Sequence, residues 1–222
     1  MMFGRRGAAA RGTVDPEELD ALSQTDAARR LDTIVHLSDE IVRRLVSRGR
    51  RGLTVAAVSD GVGVTTTATA LARSLANRQV TTLLIDADLL APAIARSRQV
   101  DRTGPGLAEV LRGEIDLNDA LAPTQQPGLM MLHAGTVAGE GEGLIFSHDF
   151  SELVEHCLRR FQITIIDAPP ANRSTAAFHI ARATGYSLLV ARRHASFTQD
   201  LSLFADQMRQ VGAEVVGSVL TG

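Results

Sequence analysis

The amino-acid sequence predicts an α/β domain: a mainly parallel sheet flanked by helices on both faces. Two observations carry this. Short apolar runs recur at Leu53–Val58, Thr81–Ile85, Leu129–Leu132, Ile163–Ile166, Ser187–Ala191 and Val215–Leu220. Each is bounded by turn residues and none alternates polar with apolar, the pattern of strands buried on both faces. Amphipathic segments of helical period lie between them, clearest at Thr66–Asn77, Phe150–Phe161, Ala176–Thr184 and Phe197–Val211. Strand–helix alternation of this kind builds parallel crossovers, and ligands in such folds gather at the carboxyl ends of the strands.

Residues 1–24 are rich in Gly, Ala and Arg, then polar, without sustained periodicity. They are expected to form a mobile arm. Residues 25–222 read as a single domain that opens, over 25–52, with a helix and a linker. Leu31, Val35, Ile41 and Leu45 fall at helical spacing. Ser38 stands before Asp39 and Glu40 as a candidate cap where the helix would restart. Arg48, Arg50 and Arg51 close the segment as a solvated linker whose charge suits a helix C-terminus.

Composition narrows the function classes. Apolar residues make up 45% of the 222, ordinary for a globular chain and too many for a disordered one. A net charge of −2 argues against a nucleic-acid binder driven by phosphate neutralisation. No apolar stretch is long enough for a membrane span or a secretion signal, so a cytoplasmic protein is expected. Cys157 stands alone and forms neither an internal disulfide nor a zinc cluster. All 23 basic residues are arginine; there is no lysine.

Three strand ends carry candidate chemistry. The first strand runs into Ser59, Asp60, Gly61, Val62, Gly63, Val64, Thr65 and Thr66 before a helix. Glycines there let several N–H groups converge at a helix N-terminus, a phosphate-binding arrangement, although an ordinary βα turn has the same look. The second strand ends in Asp86-Ala87-Asp88. Alternation places both carboxylates on one face, where they hold Mg²⁺, orient a nucleophile, or merely cap a helix. Asp167-Ala168-Pro169-Pro170 ends another strand, either as a group for a metal-bound water or as a turn former. Other candidates point to blander roles. His148, His156 and Cys157 cannot share a metal on one helix; Glu140 and Glu142 read as solvated; Arg192, Arg193 and His194 are either an anion site or the polar end of a strand.

In order and spacing these motifs resemble the cytosolic P-loop domain of bacterial tyrosine kinases associated with polysaccharide co-polymerases, within the wider MinD/ParA-like P-loop group. The resemblance runs from about Leu53 to Leu220. It includes stretches without chemistry of their own, at Gly106–Glu114, Leu132–Gly135, Phe150–Val154, Leu188–Arg192 and Val216–Leu220. It implies a P-loop fold in which Gly61, Val62, Gly63, Val64, Thr65 and Thr66 hold the phosphates of Mg-ATP or Mg-ADP. It further implies that Thr65, Asp86 and Asp167 serve Mg²⁺, that Asp86 and Asp88 handle the attacking hydroxyl, and that Arg192 approaches the nucleobase.

The chain departs from that pattern in ways that bear on activity. The lysine position of the loop is Val64, and the earlier lysine of the MinD-like variant falls on Ser59. Leu90 replaces an arginine after the second acidic motif, and Thr221 an asparagine after the last strand. No tyrosine-rich tail follows before Gly222, and Tyr186 opens an apolar run as a structural residue. The Glu-x-x-Arg-x-x-Arg segment that packs subunits in the family is met only by Asp26 to Asp32 and Glu40 to Arg43, both read as the exposed face of a helix. An aspartate about 5 Å from a phosphate charge repels it by roughly 3 kcal/mol at an effective dielectric near 20. Nucleotide binding is therefore expected to be weak and dependent on Mg²⁺.

These expectations favour a regulatory or scaffold protein of exopolysaccharide synthesis and export, peripheral to the inner membrane through a co-polymerase subunit. A homo-oligomer is left open. The alternatives are an active tyrosine autokinase or ATPase of the same pathway, and a ParA/MinD-like positioning ATPase.

Overall fold

The computed structural model describes residues 31–91, 104–137 and 141–222. The expected N-terminal arm, and most of the Asp26–Asp32 segment, lie outside them. Helix α1 covers the described residues 31–44. It continues straight through Ser38, which is not a cap: its hydroxyl is bonded to the Val35 carbonyl (2.8 Å) and to the Ser74 hydroxyl (2.9 Å). The serine ties this helix to the next one instead of starting a new one. Glu40 is held by Arg43 and Arg44 of the same helix, in keeping with an exposed helical face.

Seven strands follow: β1 Gly52–Ala56, β2 Thr82–Asp86, β3 Ala122–Pro123, β4 Leu129–Leu132, β5 Ile163–Asp167, β6 Tyr186–Arg192 and β7 Glu214–Thr221. They form one sheet in the order β3-β4-β2-β5-β1-β6-β7, parallel throughout except for the short β3 on β4. The helices are α2 Val64–Asn77, α3 Leu107–Leu111, α4 Leu117–Ala120, α5 Gly141–Ile145, α6 His148–Arg160, α7 Ala176–Thr184 and α8 Thr198–Gln210.

Two apolar layers explain why the strands do not alternate. Leu84, Ile165, Val55 and Leu188 pack with Ile41 of α1, Leu45 just beyond it, and Leu71 and Leu75 of α2 on one face. Leu83, Ile85, Ile166 and Leu189 pack with Phe150, Ile180 and Phe204 of α6, α7 and α8 on the other. Each central strand thus buries both sets of side chains.

Gly106 and Glu109 fasten the connection after β2. The Glu109 carboxylate accepts the N–H groups of Gly106 (2.7 Å) and Thr136 (2.8 Å). The Leu107 N–H donates to the His133 carbonyl at 2.7 Å. Burial opposes the charge on Glu109, but the Gly106 and Thr136 N–H groups outweigh it and hold the carboxyl below its usual range. The stretch from Gly106 to Glu114 is therefore a clamp on the end of β4. Among the described residues, no helix is long and apolar enough to cross a membrane.

Candidate functional site

The sheet order sets β1 between β5 and β6, so the β1–α2 loop opens beside the ends of both. Gly61 (φ 70°) and Gly63 (φ 97°) take left-handed conformations that side-chain-bearing residues rarely adopt. Gly63 caps α2 without a side-chain bond. None of the N–H groups from Gly61 through Thr66 has an acceptor among the described residues. N–H groups placed in this way at a helix N-terminus are an arrangement suited to an anion.

Facing it, Asp86 and Asp167 end adjacent strands in register, about 4.8 Å apart along the sheet. Both are buried. Neither oxygen of Asp167 has a hydrogen bond of regular geometry. Burial pushes its carboxyl well above the usual range and Asp86 adds to the rise; the nearby Thr65 hydroxyl pulls it down, and Asp88 raises it again. A bare buried carboxyl beside a second one and an open phosphate nest fits a magnesium ion shared with phosphate oxygens, since Mg²⁺ needs few protein ligands. No group of three or more metal-ligating side chains stands together among the described residues.

Arg192 and Thr221 close the outer side of the loop. Arg192 donates to the Gly61 carbonyl at 3.3 Å. The Thr221 hydroxyl donates to the Val62 carbonyl at 2.7 Å, so it braces the loop. Val64 is partly buried against the α1–α2 apolar layer. Leu90 is half exposed beyond the second acidic motif.

The structure adds a residue that sequence reading missed. Arg173, in the turn after β5, sets its Nε 2.6 Å from Asp60 and a terminal nitrogen 2.8 Å from Asp88. Burial works against its charge, but Asp88 and Asp60 outweigh that and keep the guanidinium protonated. Asp88 also accepts the Ala91 N–H at 3.0 Å, and its own N–H donates to Asp86 at 3.2 Å. Nothing in the motifs marked Arg173, because an arginine after a Pro-Pro turn carries no periodic signal. Glu142, read as solvated, instead accepts the Ser174 hydroxyl at 2.5 Å; Glu140 lies outside the described residues. His148 pairs with Glu152 on the surface, and burial pushes the Cys157 thiol up to about 12, which keeps it unreactive. A cavity of about 570 Å³ lies between α4 and α6 among Asp116, Asp149, Glu152, Glu155, His156 and Arg159. It includes none of the loop or strand-end residues.

A family model described as an AAA domain matches residues 51–212. Over 168 residues the sequence is 32% identical to the tyrosine-protein kinase CpsD of Streptococcus agalactiae serotype III, covering 76% of this chain and 72% of that one. The chain belongs to the AAA-domain family of bacterial tyrosine kinases. Within that family, the tyrosine-protein kinase ptk of Acinetobacter johnsonii is 30% identical over 195 residues, which are 88% of this chain but only 26% of that relative. The crystal structure of the VpsO kinase domain superposes with a TM-score of 0.78 at 29% identity, covering 89% of this chain and 98% of that domain. The septum site-determining protein MinD of Pyrococcus horikoshii, solved with Mg-ADP, shares the fold at a TM-score of 0.67 and 23% identity, with 77% of this chain and 69% of that one aligned. The fold is thus the mostly parallel P-loop sheet that the sequence predicts.

Proposed function

We infer that this tyrosine-kinase-like chain is a regulatory or scaffold protein of exopolysaccharide synthesis and export, with phosphoryl transfer impaired or absent. The observation that carries the reading is the apolar, partly buried Val64 at the family's lysine position, in a chain without lysine. Among the described residues around the loop, the carboxyl groups of Asp60, Asp86, Asp88 and Asp167 outnumber the guanidinium groups of Arg173 and Arg192, and Arg173 is already shared by two of the carboxylates. Bare nucleotide therefore meets net repulsion. Mg²⁺ bound with the nucleotide would supply the missing positive charge. Asp86, Asp167 and Thr65 would hold the ion, the loop N–H groups would orient the phosphates, and Asp88 would direct an incoming hydroxyl.

The partner that suits such a chain is an inner-membrane polysaccharide co-polymerase subunit, which would keep it at the cytoplasmic face. A second reading, an active autokinase or ATPase, draws support from Arg173, a cation where the loop lacks one. Incubation with Mg-ATP separates the two. The scaffold reading expects phosphate release and phosphotyrosine no greater than in the Asp86→Ala variant. Turnover of about 1–100 s⁻¹, ordinary for kinases, lost in Asp86→Ala, would establish the autokinase instead.

A further inference from the structure

Arg173 spans the mouth of the site, and its two partners are not equivalent. Asp88 is anchored: its side chain is 9% exposed, and it also accepts the Ala91 N–H. Asp60 belongs to the loop itself and is 52% exposed, with no second bond to hold it in place among the described residues. Exposed ion pairs contribute little net stability and exchange readily. A guanidinium presents a planar fork suited to phosphate oxygens, and charge-assisted bonds of this kind are the strong ones.

We propose that Arg173 is the phosphate-contacting cation of this site, held in position by Asp88 and released from Asp60 when Mg-nucleotide enters. This rests on the reading that the β1–α2 loop takes Mg-nucleotide. Asp60 is then a built-in competitor for the guanidinium, and the loop acid weakens nucleotide binding through Arg173 more than by direct repulsion. Asp88 has a positioning role, keeping the fork at the mouth of the nest when Asp60 lets go.

Calorimetric titration of the full chain with Mg-ADP tests this. Arg173→Gln should weaken binding at least about tenfold, the loss expected for one partly screened charge-assisted contact. Arg173→Lys, which keeps a charge but loses the fork, should recover part of the loss. Asp60→Asn should tighten binding about three- to tenfold. The double variant should bind like Arg173→Gln, because removing the competitor is useless once the cation is gone. Thermal melts of each variant show that the fold is retained. The proposal is overturned if Arg173→Gln binds as well as the wild type or better. It is also overturned if Asp60→Asn tightens binding equally with and without Arg173, since Asp60 would then act by repulsion alone. A folded wild-type chain that gives no heat with millimolar Mg-ADP removes the nucleotide reading itself, and Arg173's role with it, whereas a wild type that binds leaves only Arg173 in question.

Discussion

Replacing Val64 with lysine should tighten Mg-ADP binding by about 30- to 5,000-fold. The range follows from the roughly 2–5 kcal/mol lost when one member of a desolvated charge pair is removed. Val64 opens α2 and is partly buried beside Leu-rich packing. A lysine stem covers similar apolar surface while its ammonium reaches outward, so the fold should survive. The new charge would join Arg173 and Arg192 near the carboxyl groups of Asp86, Asp88 and Asp167. Parallel titrations of the two proteins read the gain. A folded Val64→Lys chain with unchanged affinity would mean that the missing ammonium is not what limits binding.

A second large effect is structural. Gly106→Ala should destabilise the domain by about 3 kcal/mol and lower its melting temperature by roughly 6–12 °C. A Cβ at this position would stand 2.3 Å from the His133 carbonyl oxygen and 2.6 Å from the Gly135 nitrogen. Both are backbone, so neither can swing away. Relief requires α3 to peel from the end of β4, which breaks the Leu107–His133 hydrogen bond and pulls Glu109 from its two N–H donors. Gly113→Ala is a fitting control: no atom lies within 4 Å of its added Cβ, and the cost there comes only from a positive φ of 70°. Differential scanning calorimetry compares them. Equal melting losses in the two variants would show that the close approach at Gly106 is not what matters.

Gly106 also shows what the sequence made legible. Its stretch was recognisable as part of an architecture, yet the reason for it, a helix clamped by one buried carboxylate, appears only when β4 and α3 meet. Strands were readable because both faces of each central strand are apolar, and their ends fell within a residue or two of the structure. The two-residue β3, Ala122–Pro123, was too short to leave a pattern. Ser38 misled because serine before two acids has the chemistry of a cap, whereas tertiary contact with Ser74 satisfies its hydroxyl inside a continuous helix. In the site, the glycines and the strand-end aspartates were visible as local motifs. Arg173 was not, since its role depends on folding that brings the turn after β5 against the β1–α2 loop and the end of β2.

Calorimetric titration of the wild-type chain with ADP, once with excess Mg²⁺ and once with a chelator, measures most directly whether an acid-walled nest without an ammonium group can hold phosphate unaided. The account predicts a dissociation constant near the millimolar range with Mg²⁺ and no detectable heat with the chelator. Micromolar binding of metal-free ADP would contradict it.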